Sequence, residues 1–330
     1  STNSIDGGLA IPADTLYLDF NSDEDLLTKE VLIAGFNADT TFENESRTPF
    51  RSWRIMDGTE PEGYIEFEIG YSDLVGNIGD TINETTNGTS ILFDMTPPDD
   101  FELDTVFVSG GKVIFGFWNA SNDTLTLRVP IPEDDETLIG GTFQSQVRFG
   151  EGAYVNLGDE KIIIGGQGVS SQDLKITRME FTTVDGFSEN LNVQFIAKAK
   201  DRAGNETVGS TDNTQLHIDE IVPSLTEVLI QSNNELDSTW AKISDIISLN
   251  FTASEGLSSV TPVLFSDSLT GIPENAGSSW TVTKTILSDN AEGIIPFFIT
   301  YNDTAGNEGD QVSSSTDGRS VTLDKTNPTI

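Results

Sequence analysis

The chain has 330 residues, with 17 Lys and Arg against 54 Asp and Glu, one His and no Cys, for a formal net charge of −37. That length exceeds one ordinary core and suits two or three domains. The charge makes nucleic acid and an anionic membrane surface repulsive partners and favours cations, while the missing thiols exclude disulfide staples, thiolate metal sites and a cysteine nucleophile.

No apolar stretch is long enough to span a bilayer, and the N-terminus does not read as a signal peptide. Acidity also has a plain use, since it keeps a secreted or salt-exposed protein soluble.

In chain order, Thr15–Phe20 alternates and predicts a strand, closed by the acidic turn 21–25. Lys29–Ala34 predicts a second strand, 40–52 a polar loop, and Trp53–Ile55 the start of a third. Glu62–Tyr71 places Ile65, Phe67, Ile69 and Tyr71 on one face and glutamates on the other, the pattern of one half-buried antiparallel strand. Val113–Trp118 and Leu125–Val129 predict strands, and 130–168 reads as an insertion bearing Phe143, Phe149 and Tyr154. After Ser170 either a hairpin or a short helix fits. Leu191–Ala199 predicts a strand. Ile247, Leu249 and Phe251 alternate in the next, and Glu292–Tyr301 repeats the face of Glu62–Tyr71 with Ile295, Phe297, Ile299 and Tyr301.

One pattern occurs three times. An Asp four residues before an Asn is followed by a polar run, a strand, a second Asp and a Pro four residues beyond it. The copies are Asp73, Asn77, Asp94 and Pro98; Asp201, Asn205, Asp219 and Pro223; Asp303, Asn307, Asp324 and Pro328. A repeat at domain-sized intervals predicts the architecture directly. The expected fold is all-β: tandem immunoglobulin-like β-sandwiches in a rod-like array, divided at 1–98, 99–222 (longer, with the insertion) and 223–330. The chain stops at Ile330, just past Pro328, which predicts a piece cut from a longer array.

The segments Trp240–Glu255, Tyr301–Asn307 and Leu323–Pro328 together resemble the bacterial immunoglobulin-like repeats of very large secreted and surface-anchored adhesins, including the gliding-motility adhesins of gliding bacteria. Phe117–Ser121 and Pro130–Asp135 depart from that plan and read as a sister repeat type. The resemblance implies a structural or adhesive role at the bacterial cell surface or outside the cell. The implied partners are neighbouring repeats of the same chain and surface glycans or other surface components, with no membrane insertion in this stretch, which would be monomeric. It implies no catalytic activity.

The acids carry the chemistry. Ca²⁺ takes six to eight oxygens from Asp, Glu, Asn and backbone carbonyls. If turn and exit strand share a pole, the sets would be Glu24, Asp73, Asn77 and Asp94; Asp123, Asp201, Asn205 and Asp219; Glu255, Asp303, Asn307 and Asp324. The same residues also suit plain turn capping, where Asp caps its own loop and Gly supplies a positive φ. His217 lies between Leu216 and Ile218 and points outward from a strand, so a Ser-His-Asp arrangement has no support. The insertion's aromatics would either stack on a sugar or plug a sandwich end. The alternative function is therefore an accessory carbohydrate-binding part of a secreted polysaccharide-degrading enzyme.

Overall fold

A computed structural model describes residues 1–38, 40–42, 50–131, 135, 137–165, 169–211, 215–270, 272–274 and 278–330. The chain is all-β apart from one short helix. Its buried apolar side chains form three separate clusters, spanning Ala10–Phe93, Phe101–Ile218 and Val228–Leu323. These clusters define a first, second and third unit.

The first unit holds β1 (Leu9–Ala10), β2 (Thr15–Phe20), β3 (Leu26–Ile33), β4 (Phe36–Asn37), β5 (Thr40–Phe42), β6 (Phe50–Ile55), β7 (Gly63–Tyr64), β8 (Phe67–Asp73) and β9 (Leu92–Phe93). Its sheets are β2-β6-β5, β4-β3-β8 and a small β1-β9-β7. The second unit holds β10 (Thr105–Ser109), β11 (Phe117–Asn119), β12 (Thr124–Pro130), β13 (Thr142–Phe149), β14 (Val155–Asn156), β15 (Lys161–Ile162), β16 (Ser171–Thr177), α1 (Arg178–Thr182), β17 (Asn192–Lys200), β18 (Glu206–Val208) and β19 (Leu216–Asp219). There β10-β12-β16 forms one sheet and β11-β19-β17-β13-β14 the other, with β15 on β13 and β18 on β17. The third unit holds β20 (Leu225–Ser232), β21 (Trp240–Ala241), β22 (Ile246–Ala253), β23 (Leu257–Leu264), β24 (Asp267–Ser268), β25 (Ile272–Glu274), β26 (Ser279–Thr285), β27 (Gly293–Ile294), β28 (Phe297–Asp303) and β29 (Thr322–Leu323). Its sheets are β20-β22-β26-β25, β24-β23-β28 and β21-β29-β27.

The alternation explains the layers. In β22, Ile247, Leu249, Phe251 and Ala253 are buried while the residues between them are not, as a strand with one core face requires. The immunoglobulin-like β-sandwich expected from the sequence is the fold observed.

Several expected elements differ in extent. Glu62–Tyr71 is two strands: β7 pairs with β9 and β8 with β3, so the chain changes sheets at Ile65–Glu66. Val113–Trp118 is mostly not a strand; Val113 and Phe115 are exposed, and the strand that packs here is β10, with Val106 and Val108 inward. The 130–168 stretch contains β13, a central strand of its sheet, so it is core as much as insertion. After Ser170 come both a strand, β16, and the helix α1, whose Thr177–Glu180 capping box satisfies its first turn. The expected polar loop at 40–52 begins with β5 and ends in β6; its 43–49 portion lies outside the described residues, as do 133, 134, 136 and 166–168 of the expected insertion.

Candidate metal centre at the unit junctions

Each repeated turn is built by its own Asp. Oδ1 of Asp73, Asp201 and Asp303 accepts the backbone N–H of Asn77, Asn205 and Asn307 at 2.8, 2.9 and 2.9 Å. The second carboxylate oxygen accepts the Asn side-chain amide at 2.6, 3.0 and 2.9 Å. Gly76, Gly204 and Gly306 take φ of +90°, +110° and +93°, where a Cβ is strained. Asp, Gly and Asn at this spacing therefore make the loop before any ligand enters.

Of the third set read from the sequence, Glu255 and Asp303 do come together, but Asp324 is not with them and Asp219 of the second set stands in its place. Leu323, just before Asp324, pairs with Gly293 at the far end of the long strand from Asp303. Ten residues of extended chain put about 30 Å between them. The turn and the exit strand thus lie at opposite poles, and an exit Asp meets the turn of the following unit. Carboxylate oxygens of Asp219, Glu255 and Asp303 lie within 4.8 Å of one another, the one such group among the described residues. At the other junction Asn205 Nδ2 donates to the Asp94 carbonyl at 3.1 Å, beside Asp201. Asp73 and Glu24 hold the register positions of Asp303 and Glu255 in the first unit, at its entry pole. Asp123 is exposed in the turn between β11 and β12, and Asp324 is exposed at the exit of the third unit.

Both junctions are made the same way. Asn119 Nδ2 donates to the Ala305 carbonyl at 2.7 Å, Asn307 Oδ1 accepts the Ala120 N–H at 2.8 Å, and Asn307 Nδ2 donates to the Asp219 carbonyl at 2.9 Å. Asn3 Nδ2 likewise donates to the Ala203 carbonyl at 2.7 Å. Thr137 Oγ1 donates toward Asp94 Oδ2 and Asp135 Oδ1, and Arg202 pairs with Asp6 at 3.3 Å. The other carboxylate oxygen of Asp135 is buried with no hydrogen-bond partner among the described residues. Asn3, Asn119, Asp135 and Thr137 were not found from the sequence, because they lie outside the thrice-repeated pattern. A signal existed for Asn3: it sits in a loop whose bonds recur at Asn234, each Asn amide reaching an Asp ahead of the next strand.

The electrostatics favour a cation at Asp219, Glu255 and Asp303. Burial pushes the Asp219 carboxyl above its ordinary range, and Asp303 and Glu189 push it further. Burial also raises Glu255, reinforced by Asp219, Asp303 and Glu189. At the first junction burial raises Asp201, against the hydrogen bonds from Asn205 and Gly204, and Asp94 adds repulsion. The donor set is all hard oxygen, one member (Asp303) is fully buried, and no Lys or Arg contributes to the shifts of Asp219 and Glu255. Such a set fits Ca²⁺ better than a soft metal.

His217 is half-buried, with Nδ1 3.0 Å from Asn192 Oδ1 and Phe117 edge-on to its ring. Of the aromatics in the 130–168 stretch, Phe143 is fully buried, Phe149 stacks on Phe181, and Tyr154 lies under the Arg148 guanidinium.

No protein-family model matches the chain, and no curated protein matches it. Among solved structures, one concerning host cell surface retention of a 1.5-MDa bacterial ice-binding adhesin is 15% identical, with a TM-score of 0.38 over 97% of this chain and 95% of that one. A marsupial T cell receptor is 10% identical, with a TM-score of 0.37 over 94% and 97%. The SGBP-B protein of the Bacteroides ovatus mixed-linkage glucan utilization locus, in complex with a mixed-linkage heptasaccharide, is 12% identical, with a TM-score of 0.18 over 96% and 66%. These similarities carry nothing beyond a shared β-sandwich architecture.

Proposed function

We propose that the chain is a structural, adhesive segment of a bacterial cell-surface or secreted protein, a rod of immunoglobulin-like units with Ca²⁺ at the junctions. The observation that carries this reading is the repeated dock: an Asp-x-Ala-Gly-Asn turn seated on the exit acid of the unit before it, at Asp201–Asn205 and again at Asp303–Asn307. A carboxylate triad placed between units, outside either core, restrains their relative orientation and leaves their folding to the apolar clusters. Asp219, Glu255 and Asp303 would hold the ion, which supplies positive charge where three carboxylates meet. Small-angle scattering of the full chain, with calcium and then with chelator, tests the reading. An elongated particle whose interdomain bending increases with chelator is expected; a compact globule overturns it.

Phe143 and Phe149, which a sugar platform would need, are engaged in core packing, so the carbohydrate-binding alternative has no comparable observation behind it.

A further inference from the structure

The larger sheet of the second unit has an outer face unlike those of the other two units. β13 and β17 turn Phe143, Val147, Val193 and Phe195 into the core, which leaves Arg148 and Gln194 on the reverse side. The register extends that side into a row across the sheet. Phe117 lies beside His217, His217 beside Asn192, and Gln194 beside Arg148, with Tyr154 next, leading into β14. At about 4.8 Å per strand the row is about 19 Å long. The matching outer positions are exposed glutamates in the first unit, Glu30 and Glu68, and exposed threonines in the third, Thr261 and Thr300.

The side chains of the row hold one another in place. His217 Nδ1 donates to Asn192 Oδ1 at 3.0 Å, and Arg148 Nη2 donates to Gln194 Oε1. The Arg148 guanidinium lies over the Tyr154 ring at 5.1 Å, and Phe117 meets the His217 ring edge-on. Each polar group spends one end on its neighbour and keeps the other. Asn192 Nδ2, His217 Nε2, Gln194 Nε2 and Arg148 Nη1 make no hydrogen bond among the described residues, and none of these atoms is buried. Every other described Arg pairs with a carboxylate. Arg148 does not, in a chain with 54 Asp and Glu against 17 Lys and Arg.

We propose that this row is a binding face for a neutral, linear glycan. Asn, Gln and a neutral imidazole each offer a donor and an acceptor, which suits hydroxyls that are both at once. Arg148 adds donors that no carboxylate competes for, and Phe117 and Tyr154 supply apolar surface at the two ends for the C–H faces of sugar rings. A polyanionic glycan would meet the repulsion of a chain with net charge −37. An extended peptide has no edge to join, because β13, β17 and β19 are paired on both sides. Phe143 and Phe149 take no part: they belong to the core beneath the same sheet. The face lies outside the rod and ion reading and depends on neither.

The test is electrophoresis of the full chain in native gels cast with a soluble neutral β-glucan, mannan, xylan or galactan, and with alginate as a polyanion. The gels are run in chelator, so that the result reads apart from the junction ion. At least one neutral polysaccharide is expected to retard the chain, and alginate is not. Asn192→Ala and Arg148→Ala are each expected to weaken that retardation about tenfold with the melting temperature unchanged. Thr300→Ala, on the matching face of the third unit, is expected to migrate as the native chain does. Where Arg148→Ala lowers the melting temperature, the exposed Asn192→Ala decides alone. No retardation by any of the four neutral polysaccharides, stronger retardation by alginate, or row variants that bind as the native chain does, overturns the proposal.

Discussion

The turns Asp73–Asn77 and Asp303–Asn307 share their internal hydrogen bonds and differ in their surroundings. In the third unit Asp303 and Ala305 are fully buried and Asn307 bonds to two segments of the second unit. In the first unit Val75 and Ile78 are 84% and 86% exposed, and the turn bonds to itself. The acids follow. For Asp73 burial is the largest single influence and raises the pKa, but the hydrogen bonds from Asn77, Val75 and Gly76 together outweigh it, and its pKa falls. For Asp219 and Glu255 burial and neighbouring carboxylates win, and theirs rise. The loop is thus a property of its own sequence, whereas the charge cluster is a property of docking. Ala203 and Ala305 stand where the undocked copy has Val75, and a small side chain there lets the loop carbonyl reach Asn3 or Asn119.

The largest expected effect comes from a methyl group at Gly306. Gly306→Ala and Gly76→Ala incur the same strain at positive φ, roughly 1–2 kcal/mol. A Cβ at Gly306 would also lie 2.8 Å from Ile114 Cγ1 of the second unit, while one at Gly76 meets nothing within 4 Å. Overpacking adds roughly 1–3 kcal/mol. Calorimetry should therefore show a larger drop in melting temperature for Gly306→Ala; equal drops would mean the docked turn is not held against its neighbour.

Next comes Asn307→Ala. It removes the amide bonds to Asp219 and Asp303 and the acceptor for Ala120 N–H, all at a buried site, at a cost of about 1–3 kcal/mol. Asn77→Ala removes the side-chain amide bond to Asp73 alone, in solvent, and should cost less. Urea midpoints of the two variants compare them, and scattering should show added bending for Asn307→Ala only.

What the sequence disclosed follows the same division. Local chemistry was readable: the thrice-written Asp, Gly and Asn, and the alternation at Ile247, Leu249 and Phe251, are near-neighbour patterns. What depended on the course of the chain was not. Alternation runs on from Ile295 to Phe297 although the chain passes there from β27, paired with β29, to β28, paired with β23, so one strand was read where two exist. β13 was missed because buried Ser145 interrupts the apolar face of Phe143 and Val147. Glu255 was placed with Asp303, but the exit acid was assigned to the wrong copy for a topological reason: Asp303 and Asp324 recur together in sequence but lie at opposite poles, and the exit acid beside Asp303 is Asp219 of the preceding copy.

The pH dependence should carry opposite signs at the two turns. A carboxyl whose folded pKa is raised binds more protons folded than unfolded, so its contribution is full below the unfolded value and lost as pH rises through the folded one. For Asp219 and Glu255 that window opens upward from 3.8 and 4.5. For Asp73, lowered from 3.8, the contribution is full above that value and lost as pH falls through the folded one. In chelator, the Asp219→Asn, Glu255→Gln double variant should gain stability over the native chain as pH rises from 4 to 7. Relative to the native chain, Asp73→Asn should lose stability as pH rises toward 3.8 and show little further change above it. A double variant that tracks the native chain at every pH would show that the three carboxylates do not interact.

The smallest effect is that of calcium itself. Extracellular modules bind it with dissociation constants of roughly 10⁻⁴ to 10⁻³ M. At about 1 mM free ion one site then adds only ~0.4 to 1.4 kcal/mol, too little to make folding depend on metal. It opposes the pH trend, because bound ion holds the acids deprotonated and its affinity rises as they ionise. Titration calorimetry of the native chain should show calcium heat that disappears in the Asp219→Asn, Glu255→Gln variant, whose Asp303 turn keeps its bonds to Asn307. Asp73→Ala should leave that heat unchanged, since the undocked turn has no exit acid beside it among the described residues. Equal heat from the native chain and the double variant would place the ion elsewhere. No heat at all would leave Asp303 as a turn cap whose repulsion with Asp219 and Glu255 is relieved by protons alone.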